Sequence, residues 1–502
     1  MKVTFIQRGY ESLAIEYLSA YLKKAGHKTS LVYDPSLFEL PPFMSKTLQK
    51  YFSWRNKIVQ AVLEKEPDLV AFSVVSDDFG WACTVAEAIK AKSDVSIVFG
   101  GIHPTSVPER VIKEPFVDYV CLGEGEEAML ELVDSLEKKN SLRQVLNIWA
   151  KNEEGVMENS PRRLIKDLDK LPFPDKDLFF SEYPGLVNEV YTIATSRGCN
   201  YRCAFCYNCY LGKLYRDEKA YVRRRSVDNV IAELVLAKNK YGIKKVFFTD
   251  DLFISDQVWL EEFSYKYQQQ VALSFTCLVH PSFVTEEVVS FLEESGCEVI
   301  GMGLQSIDED LRKKVLKRPG DNESIKKAIK LLKKTKIYFY VDMILGLPGQ
   351  TEEELINTVR FLSRYRPDAV ATLWLRYYPK IDIIQEALKR QLLSEKEIEA
   401  IEVSKSYTPL AIKGSTFSES LGKIGNLMLL SPLLPERWIE WMIERELYRY
   451  FPASTSLHLH LNSRLMFIVK KIFFKKRPYS YRSLFWPIRY YLYYLRKRIF
   501  TS

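Results

Sequence analysis

No uninterrupted apolar run in these 502 residues is long enough to cross a bilayer, so the sequence offers no membrane-spanning helix. Met1–Gln7 is too short, and runs too directly into a helical pattern, to be a secretion signal. Cysteine is sparse, with eight residues, and half of them crowd between Cys199 and Cys209. That distribution excludes a disulfide framework, whose cysteines are spread through a small secreted chain. Acidic residues are missing altogether from Leu461 to Ser502, where eleven Lys and Arg lie. The net charge of +8 is therefore concentrated in that tail. The rest of the chain is slightly acidic, and its charge says little about the main body. Apolar content of 47% and charged content of 27% are ordinary for a soluble globular protein. The length allows two or three domains, each with its own core. A reducing cytoplasm is the expected location.

What the chain does concentrate is thiol. Cys199, Cys203 and Cys206 stand in the run CNYRCAFC. Three closely spaced thiolates can hold three irons of a cubane 4Fe–4S cluster and leave the fourth iron open to a substrate. Phe205, just before the last cysteine, can cover a flat ligand ring. Two other readings stay open. With Cys209, four thiols could close a tetrahedral zinc site. A ferredoxin-type cluster is the other, although no Cys-Pro follows in the usual register. Cys209 reads as a bystander or a thiol on the substrate side.

Two stretches alternate strand and helix. In the first, strands are expected at Lys2–Ile6, Lys28–Tyr33, Asp68–Val74, Ser96–Phe99 and Asp118–Cys121, with helices between them. This pattern predicts a doubly wound parallel sheet, whose ligands bind at the carboxyl ends of the strands. Ser73 and the pair Gly100-Gly101 lie at such ends. In the second, six strands (Val190–Thr195, Lys245–Thr249, Ala272–Cys277, Glu298–Gly303, Tyr338–Leu345 and Ala369–Leu375) alternate with amphipathic helices, an incomplete β/α barrel. The fold expected is α/β, with domains at 1–150 and 186–392, a proline-rich linker at 151–185, and a helical region at 393–502. Its basic tail interleaves Lys and Arg with aromatics. That mixture suits a peripheral contact with the inner face of a membrane. A helix packed on the barrel is the plain alternative, and single-stranded nucleic acid ranks last.

The CxxxCxxC loop after the first barrel strand resembles the signature of the radical S-adenosylmethionine superfamily. EYLSAYLKKAGHKTSLV, PDLVAFSVVS, FGGIHPT and GEGEEA resemble the cobalamin-binding domain that precedes many of its barrels, and LDKLPFPDKDLF resembles their connector. The resemblance implies that Cys199, Cys203 and Cys206 hold the cluster and that its open iron chelates S-adenosylmethionine, which is cleaved to a 5′-deoxyadenosyl radical. It implies Asp250 at the amino group of that ligand, Gln305 and Ser306 near its ribose, and Gly346, Pro348 and Gly349 on its adenine side. Thr351 and Glu354 are expected to form a capping box behind that turn. Arg318 is a candidate for the methionyl carboxylate or a surface residue. Ser73, Gly100 and Gly101 would accommodate the nucleotide tail of cobalamin. Relatives carry Glu at Gln305, and Pro-Gly-Thr-Pro where this chain has Pro379-Lys380-Ile381-Asp382. The Asp-x-His-x-x-Gly loop that brings a histidine to cobalt is absent from Gln7–Ser12, and His103, beside Gly-Gly-Ile, reads as a loop residue.

The implied activity is methylation of an unactivated carbon on an unknown small-molecule or lipid-like substrate. An electron donor such as flavodoxin or ferredoxin would serve it. Ring formation or carbon–carbon chemistry with a vestigial cobalamin domain is the first alternative. A non-catalytic metal-binding scaffold is the second.

Overall fold

The computed structural model describes residues 1–36, 55–153, 155–181, 190–215, 221–403 and 418–453. The basic tail from Leu461 lies outside the described residues, so its expected membrane contact has no structural counterpart there.

The first sheet has seven strands: β1 (Lys2–Arg8), β2 (Lys28–Asp34), β3 (Leu69–Ser73), β4 (Ser96–Gly100), β5 (Tyr119–Cys121), β6 (Ile148–Asn152) and β7 (Gly155–Glu158). Their order is β2-β1-β3-β4-β5-β6-β7. The first five are parallel, and β6 and β7 add an antiparallel edge that runs into the expected linker. Leu69, Val70, Ala71 and Phe72 are consecutive and all buried, because helices cover both faces of a parallel sheet. Strand order reverses at β1 and β3, and the chain leaves these two neighbours in opposite directions. A crevice opens at their carboxyl ends, where doubly wound sheets take ligands.

The second sheet is all parallel and strictly sequential: β8 (Val190–Ile193), β11 (Lys245–Phe248), β12 (Ser274–Val279), β13 (Cys297–Gln305), β14 (Tyr338–Leu345) and β15 (Ala369–Trp374). Along β12, buried Phe275, Cys277 and Val279 alternate with half-buried Ser274, Thr276 and Leu278. One set packs under the outer helices and the other faces the barrel interior. The helix Glu352–Tyr365 shows why the outer layer is helical: Leu355, Val359 and Leu362 recur at helical spacing and are buried against the sheet side. A short antiparallel pair, β9 (Ser196–Arg197) with β10 (Arg223–Arg224), brackets the cysteine loop.

Ion pairs tie the connector and the start of the second unit to elements of the first. Lys176, from the connector, is 1% exposed and lies 2.5 Å from Glu11 and 2.8 Å from Glu16. Arg197, on β9, reaches Glu124 at 3.1 Å and Glu126 at 2.5 Å in the Gly-Glu-Gly-Glu turn after β5. After β15 the chain is helical at Ile383–Lys389, Glu395–Glu402, Glu419–Leu430 and Glu436–Glu444. Among the described residues no helix is long and apolar enough to cross a membrane.

Candidate active site

The cysteine loop leaves β8 and ends at the helix Tyr207–Leu214, with Cys206 in extended conformation immediately before its first turn. Each of the three thiols receives at least one N–H donor. The Tyr201 amide points at the Cys199 sulfur at 3.5 Å, the Arg318 guanidinium at that of Cys203 at 3.4 Å, and the Asn208 side-chain amide at that of Cys206 at 3.6 Å. Donors around sulfur favour the thiolate that a metal needs. Burial works the other way: it pushes Cys199 up to about 11 and raises Cys206. A metal must therefore displace protons on binding. Among the described residues, no three cysteine sulfurs lie within 4.8 Å of one another. Thiolates around a single tetrahedral zinc would sit about 3.8 Å apart. Cys209 turns away from the other three thiols. Its sulfur accepts the Asp382 amide at 3.4 Å inside an apolar cluster with Leu347 and Ile381.

A cavity of about 660 Å³ lies against this loop. Phe205, Cys206 and Asp251 stand on one wall, and Ser73, Gly100 and Gly101 on the other. The residues assigned to cobalamin and part of the cluster loop thus share one space. Small residues are required at two points of that wall. Gly101 has φ +101°, and a Cβ there would fall 2.8 Å from the Val74 backbone. At Gly123, φ +59°, a Cβ would collide with the Tyr215 hydroxyl. The Glu124 and Glu126 charges on the wall are answered by Arg197, and Glu124 also by Arg223 at 2.9 Å. Burial opposes ionisation of Glu124, but the two guanidiniums hold its carboxyl below the ordinary range.

The aspartate pair divides its work differently from expectation. Asp250 is 1% exposed and accepts from the Thr195 amide at 3.0 Å, from the Thr195 hydroxyl at 2.7 Å, and from the Ser196 hydroxyl. It is a latch between the ends of β8 and β11, turned away from the cavity. Asp251 is the aspartate on the cavity wall. Its carboxylate accepts Asn208 at 3.0 Å, and burial together with neighbouring Asp250 raises its pKa.

Ser306 is also turned inward, donating to Glu354 at 2.8 Å. Glu354 is thereby drawn off, and the expected capping box keeps only one half, the Thr351 hydroxyl accepting the Glu354 amide at 3.1 Å. Gln305, at φ +70° on a bulge of β13, is half-buried beside Gly303. Arg318 bonds the Gly303 carbonyl at 2.6 Å as well as reaching Cys203, so it belongs to the loop rather than to the outer surface. Gly346 and Gly349 both have positive φ, and the Gly346 amide is fixed by Gln350 at 2.7 Å. Pro348 is buried between them. None of Asp250, Gln305, Ser306, Gly346, Pro348 and Gly349 lies on the wall of the large cavity.

His103 is fully buried, stacked on Phe79 with ring centres 4.3 Å apart and bonded to Ser76 at 3.0 Å. The loop assignment is corrected: it lies in the short helix Ile102–Ser106, and burial pushes its pKa down to about 4. Sequence reasoning missed Tyr207, Asn208 and Tyr378, all on the cavity wall. The first two could have been found, since the residues after Cys206 must form the first helical turn beneath the cluster loop.

Comparison with known proteins agrees with this geometry. The Radical SAM superfamily pattern matches residues 193–362, and the B12 binding domain pattern residues 6–133. An uncharacterized methyltransferase of Pyrococcus horikoshii is 30% identical over 343 residues, covering 67% of this chain and 73% of that protein. The anaerobic magnesium-protoporphyrin IX monomethyl ester cyclase of Cereibacter sphaeroides is 24% identical, covering 76% of this chain and 62% of its own. Among solved structures, the radical S-adenosylmethionine methyltransferase TsrM of Kitasatospora setae, with tryptophan and a SAM analog bound, superposes with a TM-score of 0.62. It is 18% identical and covers 78% of this chain and 76% of TsrM. Two matched domains in this order, on the two sheets described, place the chain among the radical SAM enzymes with a B12-binding domain.

Proposed function

We propose that this enzyme transfers a methyl group to an unactivated carbon of a small-molecule or lipid-like substrate, using a 4Fe–4S cluster, S-adenosylmethionine and cobalamin. The observation that carries the reading is the shared cavity between Ser73-Gly100-Gly101 and Phe205-Cys206-Asp251. When bound, the cluster and S-adenosylmethionine supply a carbon radical, and cobalamin supplies the methyl group. The residues present fit these groups. Cys199, Cys203 and Cys206 offer three thiols with a donor at each sulfur. Asp251 offers a carboxylate to an ammonium group. Gly100 and Gly101 leave backbone open to close approach, and Phe205 covers a flat ring. A small electron-transfer protein such as flavodoxin or ferredoxin would deliver the electron.

Anaerobic turnover tests the proposal. Release of both 5′-deoxyadenosine and S-adenosylhomocysteine, from protein that holds corrin, is the expected result. The likeness to a cyclase supports a second reading, radical chemistry without methyl transfer. It calls for 5′-deoxyadenosine alone. Neither product would overturn both. The lipid-like substrate and the peripheral membrane contact rest on the tail's basic and aromatic composition. Flotation on liposomes with and without Leu461–Ser502 tests them; equal flotation of both forms removes the tail's part.

A further inference from the structure

The last described α-helix, Glu436–Glu444, seats Ile439 and Ile443 in the core and turns Trp438 and Trp441 outward. These two indoles, three residues apart on one face, are 54% and 51% exposed, and Tyr450 just beyond is 86% exposed. Arg445 continues the same face, its guanidinium 5.7 Å from the Trp441 ring. The helix looks acidic in sequence, but its acids are largely answered. Arg364 pairs with Glu436 at 3.1 Å, Arg360 with Glu440 at 3.1 Å, and Arg449 with Glu446 at 2.8 Å. By sequence, Arg437, Glu444 and Arg445 are the other charges of this segment. After Glu446 the chain contains no further acidic residue, and 56 residues later it ends having added only basic ones.

We propose that the outward face of Glu436–Glu444, with Trp438 and Trp441 as anchors, docks on an anionic lipid bilayer. Tryptophan and tyrosine, apolar over most of their surface with one polar tip, settle at the headgroup level. The flanking arginines and the basic chain that follows complement a negatively charged surface. The docking ridge is independent of methyl transfer, and it extends to the folded body the membrane contact read from the tail.

The test uses the full chain and vesicles of phosphatidylglycerol with phosphatidylcholine. The wild-type protein should partition onto these vesicles, more weakly onto pure phosphatidylcholine, and more weakly again in high salt. The Trp438→Ser/Trp441→Ser variant should lose at least ten-fold in partitioning, with its melting temperature and S-adenosylmethionine cleavage unchanged. Quenching by bromine-labelled lipid, read in a Trp486→Phe chain, checks the same contact with the ridge intact. No quenching there, or equal partitioning of wild type and double variant, overturns the ridge. If equal partitioning is joined to loss of binding on removing Leu461–Ser502, the contact belongs to the tail alone. Loss of a dimer or of single-stranded DNA binding in the double variant, with vesicle binding intact, likewise overturns the ridge in favour of that partner.

Discussion

The hydroxyl of Tyr207 lies 3.0 Å from that of Ser76, so the residue after Cys206 is tied to the crevice of the first sheet. Ser76 is held in turn by His103 at 3.0 Å, and the Tyr207 ring packs 5.4 Å from that of Tyr378. Burial pushes Tyr207 up to about 12, which keeps it a protonated hydroxyl at working pH. Tyr207→Phe removes this link and leaves the ring contact in place. One hydrogen bond is worth about 1 kcal/mol, roughly a five-fold change in an equilibrium. Corrin retention on gel filtration should fall by about that factor, while iron and sulfide content stay at the wild-type level.

Asp250 and Asp251 are adjacent and should respond oppositely to the same change. Asp250→Asn puts an amide among three donors in the core and should cost about 2 to 3 kcal/mol, read as a lower midpoint in urea. Asp251→Asn removes charge from a cavity wall and leaves the core alone. Its midpoint should hold while affinity for S-adenosylmethionine falls about ten-fold, measured by equilibrium dialysis. Equal loss of stability in both variants would contradict the division of roles.

The contrast between these two residues also shows what sequence reading can reach. Strands and outer helices were legible because burial imposes a period: Leu355, Val359 and Leu362 announce a helix whatever surrounds them. The crevice was legible because βα alternation makes a sheet parallel and sets ligands at the carboxyl ends of its strands, where Ser73, Gly100 and Gly101 stand. Side-chain direction within a motif was not. Asp250 and Asp251 differ only in which turns toward Thr195 and Ser196, and that depends on how β8 meets β11. His103 resembles a loop residue locally, yet Phe79, twenty-four positions earlier, closes over it. Glu354 leaves its expected cap because Ser306, on another element, is a nearer partner. Each difference comes from a contact between segments distant in sequence.

Asp342 projects from β14 with its carboxyl pushed up to about 6 by burial, against the pull of Arg318. An unfolded aspartate titrates near 3.9. The folded state therefore holds the proton more tightly between those values. The stabilisation from the protonated form is complete below about pH 4 and is lost as pH rises through about 6. Asp342→Asn, which carries no charge to bury, should be more stable than the parent at pH 7.5. That advantage should shrink by about half at pH 5, in urea titrations at the two pH values. An advantage that grew on acidification would show the carboxylate to be stabilised in the fold.

Cys209 separates a three-thiol from a four-thiol site. It is 1% exposed, accepts from the Asp382 amide, and lies with Leu347 and Ile381 rather than with the donors around Cys199, Cys203 and Cys206. Cys209→Ala should leave iron and sulfide content within error of wild type and cost stability only, about 1 kcal/mol for a small cavity. Cys203→Ala removes one of the three proposed ligands, and the Cys209 sulfur is already engaged by the Ala204 carbonyl and the Asp382 amide. Cluster content should collapse, and S-adenosylmethionine cleavage should fall by more than a hundred-fold with it. Were Cys209→Ala to lose iron as fully as Cys203→Ala, all four thiols would be ligands and the metal would have no open position for a substrate.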